Sequence, residues 1–179
     1  MSTALYFLAV LPPPHLSEYI HQIKLYVSEK YSCKQALKSP PHITFQPPFP
    51  FPSKKELFLK EKIIQLNQEL SQYPPALFQL NDYNVFLPKV VFIQIAHHKT
   101  ISLLYEHTQQ FVKTQLHIVK DWPPRPFHPH ITIAFRDIKK HQTPHILKEL
   151  QTLFPIHTAF SNNTMSLLQH NGKKWEVVL

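Results

Sequence analysis

Residues 4–11 form an unbroken apolar run that stops at three prolines, which predicts a buried strand. Leu16, Ile20, Ile23 and Val27 then recur at helical spacing and predict a helix over about 16–30. After a breaker at 38–41, residues 42–46 alternate polar and apolar. They read as a half-buried strand, ended by the proline-rich stretch 47–52. Ser53 and Glu56 have capping-box spacing ahead of the apolar stripe Leu59, Ile63, Leu66 and Leu70, and Pro74 and Pro75 close that helix. Residues 77–87 hold one or two strands, and 90–96 read as another buried one.

The same order then begins again. Thr100 can cap a helix through about residue 116, residues 122–127 are a proline-rich breaker, and 130–135 alternate like 42–46. Thr143 followed by Pro144 starts a helix whose apolar face is Ile146, Leu147, Leu150 and Phe154. Short strands follow near 159–160, 165–169 and 175–179, with Asn171-Gly172 as a hairpin turn. The tetrapeptide Pro41-His42-Ile43-Thr44 recurs as Pro129-His130-Ile131-Thr132, an offset of 88 residues. The same shift lays each helix of the first half on a helix of the second. A match in element order as well as in letters argues for an internal repeat. Two such halves, about 1–88 and 89–179, should pack as one domain with approximate two-fold symmetry, each H-x-T strand facing its counterpart across a cleft.

Alternation gives the repeat its chemistry. Positions i and i+2 of a strand share a face, so His42 and Thr44 point one way while Ile43 and Phe45 point into the core. His130 and Thr132 do the same in the second copy. Imidazole titrates near neutrality, so two histidines flanking a phosphodiester can serve as general base and general acid. Threonine hydroxyls two residues along can donate to the non-bridging oxygens as charge builds. The arrangement needs no metal. A single H-x-T string is weak and usually marks a satisfied or solvent-facing histidine; the symmetric pair is what favours chemistry.

Composition narrows the choice further. Gly172 is the only glycine, so glycine-rich phosphate loops and a G-x-S-x-G elbow are excluded. Cys33 is the only cysteine, which excludes an internal disulfide framework and a cysteine zinc cluster. It reads as a small packed residue and, with no signal segment, points to a cytoplasmic protein. The net charge of +8 favours a phosphate-bearing partner, although charged residues are only 17% of the chain. Of the 13 histidines, the repeat singles out two.

These motifs resemble the 2H phosphoesterase superfamily, in particular its 2′-5′ RNA ligase-like and RNA cyclic-phosphodiesterase branch. The resemblance rests on His42-Ile43-Thr44-Phe45 and His130-Ile131-Thr132-Ile133, with support from the first strand and from the segment FLPKVVFIQI. It implies an α+β fold that is a bilobal pseudo-two-fold duplicate, each lobe an antiparallel sheet with helices on its outer face, exchange of terminal strands between lobes left open, and the active-site cleft between the lobes. It also implies cleavage of a 2′,3′-cyclic phosphate or 2′-5′ phosphodiester of RNA or a nucleotide, without a metal or other cofactor. By that carry-over, His42 and His130 are the acid–base pair and Thr44 and Thr132 bind phosphate. Some members have an arginine shortly after the second motif. Arg136, six residues after His130, shares its parity along the strand and is a candidate substrate contact or a solvated strand end. His128 shares the face too, while Phe49 and Phe127 can stack on a base or pack in the core. A third metal ligand beside His128 and His130 is not signalled. Two other functions stay open: a non-catalytic RNA or nucleotide binder using the same cleft, and a histidine-rich metal-binding protein. No membrane or obligate protein partner is expected.

Overall fold

The structure is a computed structural model and describes residues 2–118 and 126–179. In chain order the main elements are β1 (Thr3–Val10), α1 (Pro14–Tyr31), β2 (Ile43–Pro52), α2 (Glu56–Leu70), β3 (Ala76–Phe86) and β4 (Val90–Ile95). They continue with α3 (Lys99–Gln115), β5 (His130–Phe135), α4 (Thr143–Leu153), β6 (His157–Asn162), β7 (Ser166–His170) and β8 (Trp175–Val177). Most of the breaker expected at 122–127, including Trp122, lies outside the described residues.

The eight strands form one antiparallel sheet in the order β6-β3-β4-β5-β2-β1-β7-β8. Its two four-strand halves join where β2 meets β5, and the one pair in register there is Ile43 with Ile131. These residues are 88 positions apart, so the pseudo-two-fold axis passes between them. β3 comes from the first half of the chain but pairs with β4, and β7 comes from the second half but pairs with β1.

All four helices cover one face of the sheet. Leu16 and Ile20 of α1, Leu59 and Ile63 of α2, Ile101 and Phe111 of α3, and Ile146 and Leu150 of α4 share a single core with Tyr6, Leu8, Ile43, Phe45, Ile131 and Ile133. Phe7, Ala9 and Leu168 gather with Trp175 on the opposite face, which bears no helix among the described residues. The alternating strands thus send one parity into the core and the other into an open concavity.

Three local expectations need correction. β2 continues through the prolines. The Ser53 N–H donates to the Ser2 carbonyl at 3.0 Å, so odd-numbered N–H groups at this end of β2 face β1. Pro48, Pro50 and Pro52 fall on the other parity, where β5 has already diverged and no donor is needed. The Ser53/Glu56 capping box does not form; Ser53 opens a short 3-10 turn, and the Glu56 carboxylate instead meets Lys60 at 2.8 Å and the Tyr6 hydroxyl at 3.2 Å. His98, not Thr100, caps α3: its Nδ1 accepts from the Thr100 N–H at 3.3 Å. Of the one or two strands expected at 77–87 there is one, β3, which ends at Phe86 and carries a register shift between Leu80 and Tyr83, with Asp82 at φ 58°.

Candidate active site

The register across the two-fold axis sets the site. With Ile43 opposite Ile131, antiparallel pairing puts His42 across from Thr132 and Thr44 across from His130. In such a ladder a diagonal pair such as His42 and His130 is separated by roughly 7–8 Å. That gap accommodates a phosphorus with a hydrogen bond at each end.

Each histidine is oriented from behind by the same device. His42 Nδ1 lies 2.7 Å from the Pro40 carbonyl, and His130 Nδ1 lies 2.7 Å from the His128 carbonyl. A carbonyl only accepts, so Nδ1 carries the proton in both rings, and in the neutral tautomer Nε2 is the free acceptor. Rings pack around each histidine. Phe7 lies 4.8 Å from His42, and Phe86 and Phe92 lie 5.1 and 5.2 Å from His130. Burial pushes His42 down to about 4; the charges of Lys24 and His130 add to that, and the Pro40 carbonyl opposes it. His130 is also lowered, by burial first and then by His128, against its own carbonyl contact. An anion entering the site would reverse part of this and favour a proton on one ring.

A cleft of about 490 Å³ opens beside the pair and is lined by His42, Thr44, Thr132, Lys38, Arg136 and Trp175, among others. Its described lining includes two cations and no carboxylate. His130 does not line this volume, because its ring is held edge-on to Phe86 and Phe92. The cleft therefore favours the His42 half of the sheet.

The remaining sequence candidates separate. Arg136 does line the cleft, but not by simple alternation. A register shift between Val91 and Phe92 leaves Ile133 and Ala134 both buried, so Phe135 takes the cleft-facing parity. Arg136 follows at φ 66°, exposed, with its guanidinium 5.3 Å from the Phe135 ring. His128 is exposed and lies 4.9 Å from Phe86; its closest tie to the site is its carbonyl on His130. Phe49 is buried on the helix side with Tyr6 and Phe51, and Phe127 stacks on Tyr105 at 3.9 Å and packs on Phe45. Neither phenylalanine lines the cleft; both fill the core. Cys33 is buried, and burial pushes its thiol up to about 11. Among the described residues, no three His, Cys, Asp or Glu side chains gather as a metal site, and no helix is long and apolar enough to cross a membrane.

Several cleft residues escaped the sequence reading. Phe7 was hidden in an unbroken apolar run, and Trp175 sits on a three-residue strand. Lys38 lies in the segment that reads only as a breaker. Lys24 lies outside the cleft, buried against the Ser39 carbonyl, and it did leave a signal, a charge inside the apolar stripe between Ile20 and Val27.

The family model described as 2′-5′ RNA ligase superfamily matches residues 12–174, a span that contains both H-x-T strands. The chain belongs to the 2′-5′ RNA ligase superfamily. Solved structures similar to this superfamily member share its fold. E. coli LigT complexed with 3′-AMP is 16% identical at a TM-score of 0.60, covering 99% of this chain and 97% of that one. TT0787 of Thermus thermophilus is 16% identical at a TM-score of 0.56, covering 98% and 95%. A structure described as a phosphoesterase is 15% identical at a TM-score of 0.58, covering 98% and 94%. Comparison with curated proteins yields no match.

Proposed function

We propose that this 2′-5′ RNA ligase superfamily protein is a phosphodiesterase that hydrolyses a 2′,3′-cyclic phosphate or a 2′-5′ phosphodiester of RNA or a nucleotide. The observation that supports it most is the twin arrangement at His42 and His130. Each ring is anchored through Nδ1 to the carbonyl two residues back, on strands paired across the two-fold axis. In this reading one Nε2 takes the proton of the attacking water, and the other ring gives its Nε2 proton to the departing ribose oxygen. The P–O bond to that oxygen breaks as the bond to water forms. Thr44 and Thr132 donate to the non-bridging oxygens, and Lys38 and Arg136 offset the phosphate charge. The side chains supply the proton transfers, so the reaction proceeds without a metal. The complexes of E. coli LigT with 3′-AMP, ATP and NADP+ support a nucleotide substrate.

The test is a hydrolysis screen in EDTA over 2′,3′-cyclic nucleotides and 2′-5′-linked oligonucleotides. Turnover of at least one class is expected. Stable binding of a 2′-phosphorylated nucleotide with no turnover of any substrate would leave a binding protein instead.

A further inference from the structure

The cleft beside His42 does not end at its rim. A second hollow of about 370 Å³ adjoins it, lined by Ser17, Glu18, His21, Lys38, Lys174 and Trp175, among others. Lys38, Ser39 and Trp175 line both volumes, so the two communicate across a shared rim. The strand order β5-β2-β1-β7-β8 sets the direction. The open face of the sheet runs outward from the paired histidine strands to β8 at its edge.

Trp175 stands at the crossing. It belongs to a three-residue edge strand, and its ring is half-buried. Phe7 meets it edge-on at 4.7 Å and His170 does so at 5.0 Å. These contacts fix the plane of the indole and leave surface open to both hollows. Phe7 also packs on His42, so a single ring separates the indole from the His42 imidazole. A rigid aromatic ring held at the edge of an open groove is a platform on which a base can stack.

Two cations mark the same path. Lys38 is exposed at the rim, and Lys174 is exposed in the turn before β8. Lys174 pairs with Glu176 at 3.2 Å, but both side chains are largely exposed, and a pair of that kind contributes little and yields readily to a phosphate. Glu18, the one carboxylate among the described lining residues, already accepts from the Gln22 amide at 2.6 Å. Ser17 and His21, one turn apart on α1, supply the helix side of the hollow with polar groups.

The chemistry of the substrate indicates what belongs there. A 2′,3′-cyclic phosphate closes the 3′ end of a strand, so the neighbour of the reacting nucleotide is joined through its 5′ phosphate. We propose that the second hollow is a subsite for that neighbour: its base stacks on Trp175, and the joining phosphate crosses the rim past Lys38 and Lys174. The proposal rests on the phosphodiesterase reading above and deepens it, because the end of an RNA strand then binds better than a free cyclic mononucleotide. Trp175 and Lys174 set this preference and take no part in proton transfer.

The experiment measures wild type, Lys174→Gln and Trp175→Leu on a 2′,3′-cyclic mononucleotide and on a dinucleotide ending in the same cyclic phosphate. Wild type should prefer the dinucleotide at least about tenfold in kcat/KM. Lys174→Gln should cut that preference about threefold, through KM, with the mononucleotide as internal reference. Trp175 also lines the catalytic cleft, so Trp175→Leu is read by the ratio of the two substrates, which should fall to about one. Calorimetric binding of the matching 2′-phosphorylated mononucleotide and dinucleotide needs no turnover and should rank them the same way. For the dinucleotide, Lys174→Gln should flatten the slope of log affinity against log salt by about 0.7. Equal kcat/KM and equal affinity for the two lengths in wild type overturn the proposal, and so does a dinucleotide preference that survives both substitutions. Tighter binding of the dinucleotide with no turnover of either substrate would instead defeat the phosphodiesterase reading and leave the subsite standing.

Discussion

Acid should destabilise this protein through His42 in a way that one substitution can isolate. The ring titrates at about 4 in the folded chain against an ordinary 6.5. Between those values the unfolded chain binds a proton that the folded chain refuses. The contribution of neutral His42 is therefore full above the ordinary value and is lost as pH falls toward 4. A difference of two and a half pH units corresponds to at most about 3.4 kcal/mol, and about 2.5 kcal/mol of it is gone by about pH 4.5. The ring is half-buried, so these are ceilings. His42→Gln retains an amide that can donate to the Pro40 carbonyl but does not titrate. Urea unfolding of both proteins at about pH 7 and about pH 4.5 gives the comparison. Wild type should lose about 2 kcal/mol more than the variant. Glu149, held near 2 by Lys30 and Tyr31, weakens both proteins alike in acid and cancels. Equal losses would show that His42 is not held neutral by the fold.

Other outcomes follow from single contacts. Ile43→Ala removes a fully buried side chain at the one register pair joining the half-sheets and should cost about 3 kcal/mol by denaturant unfolding. Thr44→Val and Thr132→Val keep volume but lose the hydroxyl. Each should lower kcat about ten- to a hundredfold with a nearly unchanged melting temperature, as steady-state kinetics and a thermal melt would show. Gly172→Ala should cost about 1 kcal/mol by urea titration. Its φ of 93° strains any L-residue, and a Cβ there meets nothing within 4 Å, so the cost is backbone strain alone.

Much of the architecture was legible because each element follows one clear period. The helix stripes and the alternation at His130–Phe135 match α1, α2, α4 and β5 closely. The repeat made Ile43 and Ile131 equivalent, but that these two strands pair directly, with those residues in register, is supplied by the structure. The misreadings have local causes. Proline-rich β2 looks like a loop because sequence does not reveal which edge of a strand lacks a partner. The bulge that buries Ala134 and turns Phe135 to the cleft depends on cross-strand register, which alternation along one strand does not encode. Phe49 and Phe127 flank the motifs in sequence, yet both rings fall on the helix side of the sheet. The crossing of β3 and β7 to opposite half-sheets is likewise a tertiary fact.

The central claim is that His42 and His130 act as one acid–base pair. Single-turnover hydrolysis of a 2′,3′-cyclic nucleotide in EDTA by wild type, His42→Ala, His130→Ala and the double variant tests it most directly. Each single variant should lose at least about a hundredfold in rate, and the double variant should lose little more than either, because the two rings work in one step. Wild-type rates in either folded single variant would contradict the account.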